Sequence, residues 1–369
     1  MIRYIRALFH QRLNRFVAEV WLLEGGEQVK VHVPNTGRLA ELLIPGREVF
    51  LSPSGGKYPF SLKGVLYRGN PVFIDAVASN GLFADFLKSG AVPGMEDYRL
   101  IRREPALGNH RFDFLLEEAS SGRELLAEIK SCTLCHRGVS AFPDAPTLRG
   151  TEHVRLLAGT GRGLLIFLLM HGDAELFVPN FHTDFPFYST LNEARERLDI
   201  RALRTLYRGD GRPYALEPVP IHFPEIEPTG CYLLLLENDK NRILNVGALG
   251  EIFFKAGYYS YTGSGRGNLF ARIRHHRTVS RRPHWHMDYI KSAMRIRADL
   301  PIVTEENIEC RLAEGMTGLG GEAVSGFGAS DCRCSAHLHY FKEDPISRTE
   351  FWDLILEHRF GRFRGTYTA

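Results

Sequence analysis

The stretch that decides the fold reads His110-Arg-Phe-Asp-Phe-Leu-Leu116, then a polar segment over 117–123, then Leu125-Leu-Ala-Glu-Ile-Lys130. Both flanks are rich in branched and aromatic residues and the segment between them is a turn, so the pattern predicts a β-hairpin. Glu128 and Lys130 are two residues apart and would share one face of a strand. With Asp113 they predict a Mg²⁺ site, in which carboxylates hold the ion and the lysine offsets charge on a phosphate. The alternative interpretation is a solvent-facing hairpin with an ordinary Glu/Lys pair.

The totals describe a multidomain protein without membrane segments. A chain of 369 residues favours roughly two to three domains. Its net charge of +3 does not indicate nucleic-acid binding by itself, although local basic clusters can. No apolar run reaches the roughly 18 residues that a membrane span needs, and the first residues lack the apolar core of a signal peptide. We therefore expect a cytoplasmic protein with no membrane partner and with its six cysteines reduced. The sequence leaves the oligomeric state open.

The first 80 residues are predicted to form a small OB-type β-barrel. Five short strands are expected over 16–23, 28–33, 48–52, 60–67 and 71–75, with turn sequences between them. Barrels of this type often bind oligonucleotides through strand faces and loops. Arg38 and Lys57 lie on or near the loops and are candidates for phosphate contacts. A structural barrel with a solvated surface is the alternative.

Residues 81–217 are predicted to form an α/β domain with a mixed sheet. Helices are expected over 82–89, 147–157 and 191–198, and strands over 98–104, 163–170 and 200–207, beside the hairpin. Arg149 and His153 would share one face of the second helix and are further candidates for nucleic-acid contacts. Residues 218–228 are rich in proline and are expected to form a linker.

A further α+β domain is predicted over 229–345, followed by a C-terminal helix and basic tail over 346–369. Strands are expected from residue 230 and over 242–246, 251–255, 257–263, 301–304 and 338–341, with helices over 268–277, 285–295 and 304–314. A dense basic set indicates phosphate contacts, and its alternative is a solvated helix face. The set includes Arg272, Arg274, Arg277, Arg281 and Arg282.

Several segments resemble the SfsA (sugar fermentation stimulation protein) family in the same order over about residues 13–217. They include His32-Val-Pro-Asn-Thr-Gly37, Arg111-Phe-Asp-Phe-Leu-Leu116, Glu128-Ile-Lys-Ser131 and Phe142-Pro-Asp-Ala145. The resemblance implies an OB-fold joined to a PD-(D/E)xK nuclease-like domain that binds DNA. It also implies that Asp113, Glu128 and Lys130 form the metal-dependent nuclease motif, with Glu104 and Asp144 as accessory carboxylates. Cys132 and Cys135 depart from the aliphatic residues expected there.

A second resemblance covers about residues 228–342. The segments Gly230-Cys-Tyr232, Tyr261-Thr-Gly263, His284-Trp-His-Met-Asp-Tyr289 and Gly326-Phe-Gly-Ala-Ser-Asp-Cys-Arg-Cys334 are similar to an uncharacterised family related to GIY-YIG endonucleases. The resemblance implies that Tyr232 and Tyr261 orient a nucleophilic water, that Arg272 stabilises the phosphate transition state and that Glu309 holds Mg²⁺. Core aromatic side chains with satisfied hydroxyls are the alternative for the tyrosines.

Two further sets of metal-ligand residue types occur in this domain. His284, His286 and Asp288 alternate and would ligate a metal only from an extended chain. Cys332, Cys334 and His337 form a partial zinc set, for which the family resemblance suggests a structural turn.

Together these features predict a nucleic-acid-binding protein, with DNA favoured over RNA, that hydrolyses phosphodiesters with Mg²⁺ or Mn²⁺. Its principal centre would be Asp113, Glu128 and Lys130, and the GIY-YIG-like domain would supply a second. The alternative is a DNA-binding transcriptional regulator of sugar metabolism that keeps the nuclease fold without turnover.

Overall fold

The computed structural model describes residues 4–208, 211–278 and 283–365. The chain divides into two compact units, one formed by residues up to Phe223 together with the segment from Phe363, the other by Pro224–Arg362. No helix within the described ranges has the length and apolar character needed to cross a membrane.

The first unit begins with a barrel, as predicted. Its strands are β1 (Ile5–Asn14), β2 (Val17–Leu22), β3 (Gln28–His32), β4 (Glu48–Pro53), β5 (Phe60–Tyr67) and β6 (Asn70–Phe73). They follow the order β3-β2-β1-β4-β5-β6, and a parallel pairing of β3 with β5 closes the first five strands. The OB-type architecture is thereby confirmed, but β1 was not expected. Its buried side chains, Ala7 and Phe9, are few among charged and polar neighbours, so the apolar alternation that identifies a strand is weak.

A single hydrophobic core joins the barrel to the α/β part of the unit. Barrel residues such as Val20 and Leu62 belong to the same buried cluster as Phe83, Phe114 and Ile166. Phe83 lies on α1 (Ala76–Lys88), the helix that connects the two parts. Asp75 caps α1, because its Oδ1 accepts hydrogen bonds from the backbone N–H groups of Val77 and Ala78.

The α/β part contains the predicted mixed sheet and a smaller sheet. The elements are β7 (Tyr98–Arg103), β8 (Ala106–Leu107), β9 (His110–Arg111), β10 (Phe114–Glu118), β11 (Arg123–Cys132), β12 (Leu134–His136), β13 (Val139–Phe142), α2 (Leu148–Gly159), β14 (Gly163–Leu169), β15 (Leu176–Pro179), α3 (Phe185–Ala194), β16 (Asp199–Tyr207) and β17 (Pro213–Pro218). The mixed sheet has the order β17-β16-β14-β11-β10-β7. Its central strands β11, β14 and β16 are parallel and the others pair antiparallel. The smaller sheet has the order β12-β13-β15.

Two segments of this unit differ from expectation. The helix expected over 191–198 is α3, Phe185–Ala194, which begins earlier because Asp184 caps it and Pro186 favours its first turn. Part of the expected linker over 218–228 bonds to the unit instead: Val219 N–H donates to the Ala202 carbonyl and His222 N–H to the Phe177 carbonyl, both at 2.9 Å. Pro218 ends the edge strand β17, where a missing N–H is tolerated.

The second unit is built on an antiparallel sheet and a separate hairpin. The elements are β18 (Gly230–Asn238), β19 (Arg242–Asn245), β20 (Glu251–Phe254), β21 (Gly257–Gly265), α4 (Leu269–His276), α5 (His286–Ile290), β22 (Arg295–Val303), α6 (Glu309–Gly318), β23 (Glu322–Ala323), β24 (Leu338–Phe341) and α7 (Thr349–Phe360). The sheet has the order β22-β18-β21-β24-β23. The hairpin pairs β19 with β20.

One expected helix of this unit is shorter than predicted, and the strand that follows it is longer. The helix over 285–295 is only α5, His286–Ile290, and the short strand over 301–304 is the end of the longer β22, Arg295–Val303. Pairing with β18 accounts for the difference, since β22 lies along nearly the whole of that strand. The charged residues of β22 hide its strand character in the sequence.

We expect Asp184→Ala to lower the free energy of unfolding by about 1–3 kcal/mol. Asp184 is buried and accepts hydrogen bonds from the N–H of Phe187 at 3.1 Å and of Thr147 at 2.7 Å, so it fastens the starts of α3 and α2 together. Urea unfolding followed by circular dichroism measures the effect. Glu193→Ala, an exposed change on α3, is the matched control and should stay within about 0.5 kcal/mol of the parent. Equal stability of the two variants would contradict the assignment.

Candidate active site

A polar cleft of about 430 Å³ lies in the first unit where β11 meets the loops that follow β3 and β13. Asp113, Glu128 and Lys130 all line it, together with Asp144 and Asn80. The hairpin of β10 and β11 positions the first three residues, and its register pairs Phe114 with Ala127. Strand alternation then places Glu128 and Lys130 on one face, as the spacing predicts.

Asp113 is held at the start of β10 by two hydrogen bonds. Its Oδ1 accepts from Asn80 Nδ2 at 2.6 Å, and its Oδ2 accepts from the backbone N–H of Ile129 at 2.7 Å. Burial, and then the negative charge of Glu128, raise the pKa of Asp113 to about 6. The carboxylate is therefore rigidly oriented but costly to keep charged.

Glu128 is buried and has one oxygen engaged. Its Oε1 lies 2.6 Å from Lys130 Nζ and 2.8 Å from His153 Nδ1. Burial acts to raise its pKa, but the His153 hydrogen bond and the Lys130 charge outweigh burial, so the pKa of Glu128 is lowered. Its Oε2 is buried and accepts no hydrogen bond within the described part of the chain. That oxygen is a candidate ligand atom for a cation.

His153 orients Glu128 rather than contacting a ligand. The ring is 1% exposed and lies 4.8 Å from the Phe112 ring, centroid to centroid. Arg149 Nε donates to His153 Nε2 at 3.4 Å, so Nδ1 carries the proton that is donated to Glu128. The expected helix-face pairing of Arg149 and His153 is present. A buried ring cannot touch nucleic acid, and the predicted binding role of His153 is corrected to positioning.

The loop after β3 forms the opposite wall of the cleft. Asp144 Oδ2 accepts from the backbone N–H of Leu39 at 3.2 Å, and burial raises the pKa of Asp144. A Cβ at Gly37 would lie only 2.3 Å from Asp144 Oδ2, so only glycine permits this approach. Arg12 braces the loop from β1 by donating at 2.7–2.8 Å to the carbonyls of Arg15, Asn35, Gly37 and Arg38.

Sequence reasoning missed Arg12 and Asn80. Arg12 lies on the unexpected strand, and its role depends on contacts with a loop far along the chain. Asn80 lies on α1, and the Asp75 cap that sets the helix start could have indicated that this residue faces the sheet.

The remaining candidates of the first unit lie outside this constellation. Glu104 has a side chain 72% exposed and paired with Arg111 at 3.5 Å, and it does not line the cleft. Cys132 and Cys135 are buried thiols. Arg38 and Lys57 are exposed, as is Arg149, so all three are accessible to a phosphate backbone.

The second unit brings the two predicted tyrosines together on neighbouring strands. The rings of Tyr232 and Tyr261 are 6.3 Å apart, centroid to centroid, and both are buried. Tyr232 Oη lies 2.6 Å from His276 Nε2. Burial raises the pKa of both tyrosines and lowers that of His276 to about 4. The Tyr232 hydroxyl therefore stays protonated and donates a hydrogen bond to a neutral imidazole.

Arg272 and Glu309 lie close enough to the tyrosine pair for their charges to act on both phenols. The positive charge of Arg272 acts on both phenols, and its guanidinium stacks 3.7 Å from the centroid of the Trp285 ring. Glu309 Oε1 lies 3.2 Å from His337 Nδ1. Burial acts to raise the pKa of Glu309, but His337, Ser264 and Arg272 together lower it.

The other predicted sites of this unit are used differently. Asp288 Oδ2 accepts from the N–H groups of His284 and Trp285, and its Oδ1 pairs with Lys291 at 2.6 Å. Asp288 is thus a helix cap, which removes it from the metal set considered with His284 and His286. Arg274 is exposed, whereas Arg277 forms an ion pair with Asp299. Arg281 and Arg282 lie outside the described residues.

The donor chemistry of the cleft fits a hard divalent cation. Asp113 and Glu128 supply carboxylate oxygens, and the buried Oε2 of Glu128 lacks a protein donor among the described residues. Mg²⁺ typically takes one or two carboxylates and keeps several waters, so two acidic side chains are sufficient. Groups of three or more convergent ligand side chains occur elsewhere in the described chain, at Cys310, Cys332, Cys334 and His337 and at Cys135, His171 and Asp173.

Family profiles match the chain in three consecutive parts. A profile described as the SfsA N-terminal OB domain matches residues 11–75, and the sugar fermentation stimulation protein RE domain matches residues 77–210. The domain of unknown function DUF123 matches residues 231–358. These matches confirm both resemblances inferred from the sequence.

Individual relatives cover the N-terminal half. Sugar fermentation stimulation protein homologs from Clostridium tetani and Natranaerobius thermophilus are 40% identical over 199 residues and 39% over 203. Each alignment spans 52% of this chain, and 85% and 83% of the respective relative. A solved structure of Pyrococcus furiosus SfsA in complex with Ca²⁺ is 30% identical, with a TM-score of 0.55, and the match covers 60% of this chain and 99% of that one.

We expect Asp113→Asn to stabilise the metal-free protein at neutral pH. Because the pKa of Asp113 is raised on folding, the native state binds the extra proton between about pH 4 and 6, and stability falls as pH rises through that interval. Asparagine carries no charge and can keep both hydrogen bonds if Asn80 flips. In EDTA, the variant should gain up to about 3 kcal/mol at pH 7 and nothing near pH 4.

Urea unfolding at both pH values tests this expectation. Asp85→Asn, an exposed change on α1, is the control and should match the parent within about 0.5 kcal/mol. A variant less stable than the parent at pH 7 would show that the buried charge of Asp113 does not strain the fold.

Proposed function

This chain belongs to the sugar fermentation stimulation protein family, and from that premise we propose that it binds nucleic acid and hydrolyses phosphodiesters with Mg²⁺ or Mn²⁺. The principal centre is Asp113, Glu128 and Lys130. DNA is the favoured substrate.

The single observation that carries the proposal is the buried Oε2 of Glu128, which accepts no hydrogen bond from the described residues and lies beside Asp113 in a polar cleft. Two buried carboxylates repel each other, and a divalent cation between them would remove that repulsion. A relative solved in complex with Ca²⁺, another ion that prefers oxygen ligands, supports the same chemistry.

The roles of the side chains follow from their contacts. Asp113 and Glu128 would hold the cation, which would polarise a phosphate oxygen and lower the pKa of a bound water. In hydrolysis, water attacks phosphorus while the bond to the leaving oxygen breaks, and that oxygen takes up a proton. Lys130, held 2.6 Å from Glu128, would orient the water or offset the phosphate charge. Asn80 and His153 fix the two carboxylates.

The barrel would supply affinity for the nucleic acid. Arg38 and Lys57 are exposed on the loops of the barrel, and Arg15 lines the cleft itself. Phosphate contacts of this kind position a strand without reading its sequence. Arg149 would extend the basic surface beside the cleft.

We propose a second centre at Tyr232, Tyr261, Arg272 and Glu309. It rests on the observation that the charges of Arg272 and Glu309 both influence the pKa of each buried tyrosine. The tyrosines would orient water, Arg272 would stabilise the phosphate charge and Glu309 would hold the ion. The DUF123 match supports a GIY-YIG-like domain here.

A DNA-binding regulator without turnover is the competing function. The observation that favours it is the close pair between Lys130 and Glu128, which satisfies one carboxylate oxygen internally. If Lys130 stayed on Glu128 with DNA bound, it would be kept from the water and the phosphate, and the fold would bind DNA without turnover.

We expect the full chain to cleave DNA with Mg²⁺ or Mn²⁺, and Lys130→Met and Glu128→Gln to lose at least about 100-fold in rate. Single-stranded, duplex and branched DNA and RNA, resolved on denaturing gels, are the substrates. Lys88→Met, an exposed lysine at the end of α1, is the matched control and should retain the parent rate.

Glu309→Gln separates the two centres. Cleavage that survives this change but not Glu128→Gln assigns the reaction to the first unit, and the reverse assigns it to the second. Substrate that is retarded but intact under every condition would leave only the regulator.

We expect Arg38→Ala and Lys57→Ala to weaken nucleic-acid binding equally for all sequences. Each change should make the slope of log affinity against log salt shallower by about 1, because one phosphate contact is lost. Fluorescence anisotropy at several salt concentrations measures it. Arg162→Ala, whose parent residue is paired with Glu124, is the control. Affinity that barely changes with salt would contradict the phosphate-binding role of the barrel.

A further inference from the structure

Four metal-binding side chains converge in the second unit, beside the tyrosine pair. Cys310, Cys332, Cys334 and His337 each offer a ligand atom, and all four atoms lie within 4.8 Å of one another. The cysteines are free, half-buried thiols and the His337 ring is buried. Cys310 completes a set of which the sequence alone indicated three members.

The backbone explains how distant residues meet. Cys310 lies in the first turn of α6, and the other three lie on the loop before β24. Gly326 N–H donates to the Ser335 carbonyl at 2.9 Å and His337 N–H to the Phe327 carbonyl at 2.7 Å, which closes the base of that loop. Thr262 N–H donates to the His337 carbonyl at 2.8 Å and fixes the loop to β21.

We propose that Cys310, Cys332, Cys334 and His337 bind one structural Zn²⁺ ion through three thiolates and His337 Nε2. Cys332 Sγ lies 3.4 Å from His337 Nε2. Tetrahedral zinc, with Zn–S near 2.3 Å and Zn–N near 2.0 Å, requires an S–N separation of about 3.5 Å. Thiolates select zinc over Mg²⁺ or Ca²⁺, and four protein ligands leave no open position for catalysis.

The tip of the loop exposes most of its side chains. Ser330, Asp331 and Arg333 are exposed, and the two cysteines are the half-buried residues between them. A disulfide between any two of the thiols would leave the third thiol and the imidazole unexplained, whereas a single ion uses all four groups. Binding would release the thiol protons and stabilise the folded loop.

The ion would also fix the carboxylate of the proposed second centre. Glu309 is adjacent to Cys310, and its Oε1 lies 3.2 Å from His337 Nδ1. A ligating histidine commonly donates its other N–H to a carboxylate, which sets both orientations. This consequence rests on the proposed function of the second centre, whereas zinc binding does not.

Elemental analysis of the full chain, purified with reductant, tests the site. We expect about one zinc ion per chain. Cys310→Ser and Cys332→Ser should each abolish stoichiometric zinc. Cys135→Ser is the matched control, because Cys135 belongs to the other convergent group, in which His171 Nε2 is already bonded to the Thr133 carbonyl at 2.8 Å. Zinc lost only with Cys135→Ser would overturn the assignment.

Two measurements on the parent protein do not depend on the folding of a variant. Cobalt added after removal of zinc by a chelator should give the visible absorption of a tetrahedral thiolate complex. Trypsin should cut at Arg333 faster in the chelated protein than in the zinc-loaded one. A chain that takes up neither metal, or that shows fewer than six reactive thiols when unfolded without reductant, would overturn the proposal. None of these measurements uses a nucleic-acid substrate. Zinc-loaded protein that fails to cleave DNA in the separate cleavage assay would therefore count against the nuclease function alone.

Discussion

The first unit depends on one electrostatic constraint, the burial of two carboxylates side by side at the cleft. Neither Asp113 nor Glu128 would stay charged there without help, because burial favours the neutral acid. The help comes from four groups on three elements: Asn80 on α1, the Ile129 N–H and Lys130 on β11, and His153 on α2. The sheet, α1, α2 and the register of the hairpin therefore all contribute to stabilising the two carboxylates.

The hairpin meets this constraint through the period of a single strand. Residues 128 and 130 point to the cleft, while the residue between them contributes its N–H to Asp113 and its side chain to the core. A shift of one residue in register would reverse all three assignments. The continuous parallel pairing of β11 with β14 prevents that shift, because seven consecutive residues of β11 are matched to buried β14.

The sequence predicted this hairpin, the barrel and the acidic centre because their signals are local. Strand alternation, turn residues and two-residue spacing can be read within a dozen positions. Arg12 was missed because most of its partners lie 23–26 residues along the chain, and Asn80 because its partner Asp113 lies 33 residues away. His153 was placed on the correct helix face but given the wrong role, because burial is a tertiary property. Charged residues concealed β1 and most of β22. Cys310 joins the other three candidate zinc ligands only because the start of α6 lies beside the loop before β24.

The core that runs from Val20 through Phe83 to Ile166 has a consequence for which changes this half of the protein can tolerate. A barrel with its own separate core could be joined to other domains as an independent folding unit. Here, cutting the chain at α1 would expose apolar surface on both sides of the cut, and each part would be an incomplete folding unit. Because barrel and sheet share this core, a substitution that reshapes one would constrain the side chains that the other can accommodate.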